Sequence, residues 1–214
     1  MKREESILAC FALKEEAAPF RKLVEGLSRV EILITGMGGR RAESAVREFL
    51  KNRKPPFVLS SGFAGGLDPQ LASGTVVFSA EESPWLDARL LGAGARKARF
   101  HCAERVAVTA AEKRSLRAAT GADAVEMESQ AIGAVCAEAR IPFATVRVIL
   151  DTAEEDLPLD FNRLMTPDLR MDYGKLAAAL LKSPGRAGAL LKLQKQGQAA
   201  AASLAKALMT LLDR

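Results

Sequence analysis

Histidine is nearly missing from this chain: His101 is the only one in 214 residues. That excludes a multi-histidine metal site and argues against a nucleophile–histidine catalytic unit. Cysteine is also sparse. Cys10, Cys102 and Cys136 are odd in number and widely spaced, which argues against a disulfide framework or a zinc ribbon and for a reducing compartment. No apolar run approaches the ~20 residues that a membrane span needs. The run ILACFAL (7–13) is short. Glu4 and Glu5 cancel Lys2 and Arg3 before it, and Lys14, Glu15 and Glu16 follow at once. A secretory leader would carry clean positive charge and then a small-residue cleavage site. The expectation is a cytoplasmic protein.

What is present is a globular composition, 49% hydrophobic and 27% charged, sufficient for a full core without staples. The length fits a single domain over 1–214. The charge is uneven. Residues 174–214 hold seven bases and one acid, whereas 1–173 hold 24 bases and 25 acids. The formal charge of +5 therefore comes from a tail at about 173–214. With a neutral body, few aromatics and no recognised motif, no nucleic-acid partner is expected. The tail is Ala/Leu/Lys helix interrupted at Ser183, Pro184 and Gly185. It reads either as amphipathic surface helices packed on the body or as a basic helix touching a membrane or an amphiphilic ligand.

Strand-like and helix-like runs alternate along the body. SILACFAL (6–13), VEILIT (30–35), FVLS (57–60), GTVVFS (74–79) and FATVRVIL (143–150) read as strands. EEAAPFRKLVEGL (15–27), RAESAVREFL (41–50), AAEKRSLRAA (110–119) and ESQAIGAVCAEA (128–139) read as helices, the first with Phe20, Leu23, Val24 and Leu27 on one face. This alternation implies an α/β layer structure. Region 80–105 reads as a long loop with one strand at most, of the kind that covers a site.

Four segments carry chemistry. ITGMGG (34–39) lacks the third small residue and the downstream acid of a dinucleotide fingerprint, so a plain tight turn is expected. SSGFAGGLDP (60–69) places three glycines after a strand, consistent with a bulged turn or with close backbone approach to a ligand. In AVEMESQA (124–131), Glu126 and Glu128 flank Met127 at a strand-to-helix junction. They read as helix-start acids, or as an acid pair for hydroxyl recognition, pointing opposite to Met127 if extended. Asp151 ends a buried strand, where ligands of open α/β sheets bind. Arg147 inside that strand needs a partner, because a lone buried charge is costly. It either pairs structurally or holds a site acid.

In this order, Glu15/Glu16, GMGG, SGFAGGLDP with GTVV, VEMES and VRVILD resemble the purine/uridine phosphorylase family over roughly 6–155. They are most similar to its hydrolase branch, the methylthioadenosine/S-adenosylhomocysteine nucleosidases. TAAEKRSLRAATGADAVEMES (109–129), DLPLDF (156–161) and KSPGRAGALL (182–191) further resemble the hopanoid-biosynthesis-associated phosphorylase-like proteins, linked to removal of adenine from adenosylhopane. The resemblance implies a three-layer α/β/α sandwich on a central mixed β-sheet, homo-oligomerisation, a small nucleoside substrate, and no metal or organic cofactor. It implies that Asp151 protonates purine N7, that Glu16 holds and activates water, and that Arg147 stands near Glu16. It implies that Glu128 binds the ribose hydroxyls with Met127 against the sugar. Glu126, Phe63, Ala64 and Gly65 complete the implied substrate-binding set.

Two departures stand out. Ser60 and Phe63 occupy positions where family phosphorylases hold phosphate with an arginine and a serine. The N-terminal phosphate arginine is missing too, with acids at 15–16 instead. Hydrolysis is therefore expected ahead of phosphorolysis, with a non-catalytic nucleoside-binding protein as the other alternative. Leu150 replaces the usual serine before Asp151. If the substrate is a lipid, the basic tail has a use against anionic membrane.

Overall fold

The β-rich runs are apolar on both faces, so they pair into one sheet that helices must cover on both sides. A computed structural model describes residues 6–80, 83–169, 172–182 and 185–212. In chain order the elements are β1 (Ile7–Phe11), α1 (Lys14–Leu23), β2 (Val30–Ile34), α2 (Gly39–Leu50), β3 (Val58–Gly66), β4 (Val76–Ser79), α3 (Pro84–Gly92), β5 (Arg96–Lys97), β6 (Phe100–Cys102), α4 (Ala110–Thr120), β7 (Ala124–Glu126), α5 (Ser129–Ala139), β8 (Phe143–Asp151), α6 (Phe161–Leu164), α7 (Tyr173–Lys182) and α8 (Arg186–Met209).

The sheet runs β2-β1-β3-β8-β4-β5. β1 is parallel to β2 and β3, and β3 is parallel to β8, whereas β4 lies antiparallel to β8. β7 adds antiparallel to the far end of β3, with β6 beside it. The sheet is thus mixed. One face packs Ala9, Phe11, Val146 and Val148 against Phe20 of α1 and Leu204 and Leu208 of α8. The other packs Leu8 and Cys10 against Ala42 and Val46 of α2 and Ile132, Val135 and Cys136 of α5. This is the expected three-layer α/β/α arrangement.

Several local expectations are corrected. The glycine run after FVLS is strand: β3 continues to Gly66 because Gly62–Gly65 pair with β8, and Gly65 and Gly66 also pair with β7. Region 80–105 is not one loop. Pro84 suits the first turn of a helix, where its missing N–H costs nothing, and α3 follows with Trp85 edge-on to Phe57. The first helix stops at Leu23, so Leu27 loses its helical phase. Phe20 and Val24 are buried, but Leu23 and Leu27 are 48% and 40% exposed. In the tail, Lys175, Arg186, Lys192, Lys195 and Lys206 are exposed, while Ala200, Leu204 and Leu208 of α8 are core. Ser183 and Pro184, read as the tail's break, lie outside the described residues. Among the described residues no helix is long and apolar enough to cross a membrane.

Candidate active site

Alternation along β8 sends Val146 and Val148 into the α1/α8 face and Arg147 the other way. Arg147 is 1% exposed. Its Nη2 donates to Ser60 Oγ at 2.8 Å, to Glu126 Oε2 at 2.5 Å and to Glu128 Oε2 at 3.3 Å. Its Nη1 approaches the Ser61 carbonyl at 3.4 Å. Glu16 reaches the same centre from α1. The two side chains, Glu16 and Arg147, meet over Gly62, where a Cβ would lie 2.8 Å from Glu16 Oε1 and 2.9 Å from Arg147 Nη1. Gly62 also has φ +143°, so both space and backbone require glycine there. Burial alone would favour neutral Arg147, but Glu126, Glu128 and Glu16 more than offset it and hold the guanidinium charged.

The acids around it differ in environment. Glu16 is buried at the start of α1. Its Oε2 accepts the Leu13 amide and its Oε1 the Phe63 amide, both at 2.9 Å. Burial pushes it up to about 7, against the opposing pull of Arg147 and the two amides. Glu126 is consumed by the protein. Its Oε2 accepts from Arg147 and from the amides of Glu128 and Ser129, and its Oε1 from Ser129 Oγ. Burial would raise it, yet Arg147 and these donors outweigh burial and keep it an anion. Glu128 accepts the Gly38 amide at 2.8 Å and has Arg147 at its other oxygen. Burial raises it, with Arg147 opposing and Glu126 reinforcing.

Asp151 stands apart at the end of β8. The β3–β8 register slips so that Ala64 faces Ile149 while Gly65 faces Asp151. Leu150 is the extra residue of this bulge, and a bulge re-aims the side chains beyond it. Burial raises Asp151 above the usual carboxylate range, opposed by the Lys113 ammonium of α4, which is ion-paired to Oδ2.

These groups border one cavity of about 850 Å³, within the range of small-molecule sites. Glu16, Phe63, Ala64, Gly65, Glu126, Met127, Glu128 and Asp151 all line it, with Gly36 and Met37 of the first glycine loop. The rest of the wall is mainly apolar: Leu157, Phe161, Met165, Leu169, Leu176, Leu190 and Leu193. α8 closes one side. Gly197 sits where a Cβ would touch both Leu150 and Phe63, at 3.6 and 3.7 Å. The two unusual residues therefore pack together under one helix. Gln196 pins that helix by donating to the Leu150 carbonyl and to Ser73 Oγ, both at 3.0 Å. Among the described residues no group of three or more His, Cys, Asp or Glu side chains is arranged to hold a metal ion.

The structure brings every candidate residue to this one place. Arg147, the deepest of them, sits behind the cavity wall and orients the acids. Two readings are refined. The ITGMGG turn is not a plain connector, since its Gly38 amide orients Glu128. Glu126 and Glu128 converge on Arg147, but Met127 does not point opposite them: β7 ends at Glu126 and α5 begins after Glu128, and all three residues border the cavity. No sequence signal marks Lys113 or the apolar wall from α6, α7 and α8. Nothing distinguishes Lys113 in AAEKRSLRAA from its solvated neighbours except helical phase.

Residues 87–182 match the family model described as Phosphorylase superfamily. The 5′-methylthioadenosine/S-adenosylhomocysteine nucleosidase of Glaesserella parasuis serovar 5 (strain SH0165) is 28% identical over a 169-residue alignment that covers 64% of this chain and 74% of that one. Among solved structures, the futalosine hydrolase of Helicobacter pylori strain 26695 superposes with a TM-score of 0.72 at 16% identity, covering 98% of both chains. The 5′-methylthioadenosine/S-adenosylhomocysteine nucleosidase of Neisseria meningitidis, in complex with methylthio-immucillin-A, gives 0.71 at 17% identity, covering 97% of this chain and 98% of that one. The fold is therefore the mixed α/β fold of nucleoside phosphorylases and nucleosidases.

Removing the guanidinium tests the electrostatic core. Arg147→Met should cost about 3–5 kcal/mol at neutral pH, because it strands buried carboxylates. Losing Arg147 raises their affinity for protons in the folded state, so the variant should be more stable at pH 5 than at pH 8. Urea unfolding at both pH values reads this; equal stability would refute the arrangement.

Proposed function

We propose that this protein is an N-ribosyl hydrolase that releases adenine from a 5′-substituted adenosine. The observation that carries the reading is the convergence of Glu16, Glu128 and Asp151 on a single cavity whose remaining wall is mainly apolar. Breaking an N-ribosidic bond builds positive charge on the sugar and negative charge on the base. Asp151, raised by burial, serves as the acid that protonates the leaving purine. Glu128 offers a carboxylate to the ribose hydroxyls, and Met127 packs on the sugar. Glu16, half ionised near neutrality, takes the proton of the attacking water, much as paired carboxylates act in glycoside hydrolysis. The similarity to nucleosidases supports the same reaction class.

Hydrolysis is favoured over phosphorolysis by the surroundings of Phe63. Its amide, which could have served a phosphate, already donates to Glu16, and a carboxylate there repels an anion. The 5′ substituent is proposed to be large and apolar, with adenosylhopane as the candidate. The wall from Leu157 to Leu193 has no polar purpose, and a methylthio group alone would leave most of it unfilled. On this reading the exposed lysines near the outer half of α8 rest on anionic lipid.

Incubation with methylthioadenosine, S-adenosylhomocysteine, inosine and an adenosyl-hopane analogue, with and without phosphate, decides among the readings. Phosphate-independent release of adenine is expected, fastest with the apolar substituent. Release only with phosphate would make the protein a phosphorylase. Tight binding without turnover would make it a nucleoside-binding protein. Asp151→Asn should lower kcat by ~10²–10⁴-fold; an unaffected variant would remove Asp151 from its role.

The pH profile follows from the two raised acids. Glu16 works ionised, so kcat/KM should rise with pH through about 7 and fall about tenfold per unit below it. Asp151 works protonated, so activity should decline again on the alkaline side. A profile flat between pH 5 and 8 would contradict Glu16 as the base.

Deleting the tail is a poor test of lipid contact, because Leu204 and Leu208 are core. Lys192→Glu with Lys195→Glu leaves the core intact. This pair should weaken co-sedimentation with phosphatidylserine vesicles while sparing methylthioadenosine hydrolysis; unchanged vesicle binding would exclude the contact.

A further inference from the structure

Lys113 is fully buried, an unfavourable place for an ammonium unless each of its protons finds an acceptor. Each does. Nζ donates to the Thr152 carbonyl at 2.6 Å and to the Glu155 carbonyl at 2.7 Å, and it lies against Oδ2 of Asp151. Two hydrogen bonds and one ion pair thus tie Nζ to three oxygens of one short segment, the end of β8 and the turn after it. The phase that sends Lys113 inward is set at the helix start. Thr109 caps α4 by accepting the Glu112 amide at 3.1 Å, and Glu112 reaches back to the Thr109 amide, so Lys113 falls in the first turn, facing β8. Asp151 Oδ2 is closed off from solvent. A proton exchanged between Asp151 and a ligand in the cavity must therefore pass through Oδ1.

We propose that Lys113 is a positioning residue for Asp151: its ammonium anchors Oδ2, aims Oδ1 at the leaving base, and stabilises the carboxylate left when the proton departs. This rests on the reading of Asp151 as the acid. In the step, the Oδ1 proton moves to a ring nitrogen of the base, and the C1′–N bond breaks with its electron pair going to the base. The water oxygen bonds C1′ and its proton goes to Glu16. Asp151 ends as a carboxylate, Glu16 as an acid, and Lys113 stays an ammonium throughout. Lys113 interacts weakly with the neutral acid and strongly with the anion, so its attraction grows along the reaction and lowers the barrier. Around Asp151, Glu155 of the following turn opposes Lys113. Gly65 of β3 and Val125 of β7 face it without charge, and Arg147 of the same strand is committed to the glutamates.

The test uses Lys113→Met and Lys113→Gln, which remove the charge, and Lys113→Arg, which keeps it. The first readout needs no turnover: carboxyl ¹³C NMR titration of Asp151, assigned against Asp151→Asn. Without the ammonium the Asp151 midpoint should move up by about one pH unit or more, whereas arginine should restore most of the wild-type value. The second readout is the kcat–pH profile on methylthioadenosine. Its alkaline limb should move up in the Met and Gln variants while the plateau falls about tenfold or more, with KM little changed. A folded Gln or Met variant whose midpoint and plateau match wild type overturns the proposal. So does collapse of all three variants, which would make Lys113 purely structural. If wild type releases no base from any nucleoside yet the NMR midpoint still follows the charge at 113, the hydrolase reading fails and the coupling stands.

Discussion

One buried guanidinium organises this protein. Arg147 sits mid-strand in a sheet whose buried side chains are mostly apolar, and it cannot remain there as an isolated cation. Its neighbours are what make it tolerable: Glu126 at the end of β7, Glu128 just beyond it, Ser60 on β3, and Glu16 on α1 across Gly62. Two strands, a helix start and a strand-to-helix junction, remote from one another along the chain, are thereby held to one centre. The same contacts make it possible to bury three carboxylates together.

The acids then diverge because their surroundings do. Glu126 gives both oxygens to protein donors and stays an anion that fixes Arg147 and the start of α5. Glu128 keeps a face toward the cavity while the Gly38 amide orients it. Glu16 has two amides and a cation nearby, yet burial still prevails and leaves it close to neutrality in its proton affinity. Asp151 lies outside this cluster, past a bulge, with its own counter-ion on α4. Separate environments of this kind set the proton affinities of neighbouring carboxyls independently.

Much of this is legible in the sequence alone. β1, β2 and β8 announce themselves as apolar runs, and α2, α4 and α5 as periodic ones. Arg147 was conspicuous because a charge inside VRVIL demands partners, and Asp151 because it ends that strand. Other features were hidden for physical reasons. A glycine run looks like a turn, and only pairing with β8 and β7 makes 62–66 a strand. Leu27 has helical spacing from Phe20, but spacing does not say where a helix stops. Lys113 is identical in composition to a surface lysine, and only the phase set by Thr109 and Glu112 buries it. The apolar wall is spread over α6, α7 and α8, each unremarkable alone.

Helix α8 serves two ends at once. Its second half, with Leu204 and Leu208, is part of the core. Its first half, with Leu190, Leu193 and Gly197, forms cavity wall and otherwise faces solvent. A change at 190, 193 or 197 therefore alters the size and shape of the chamber without disturbing the packing on which folding depends. Along one rigid rod, the parts that select a ligand and the parts that hold the molecule together are free to diverge separately, so a lineage can change the ligand it selects without first changing its fold.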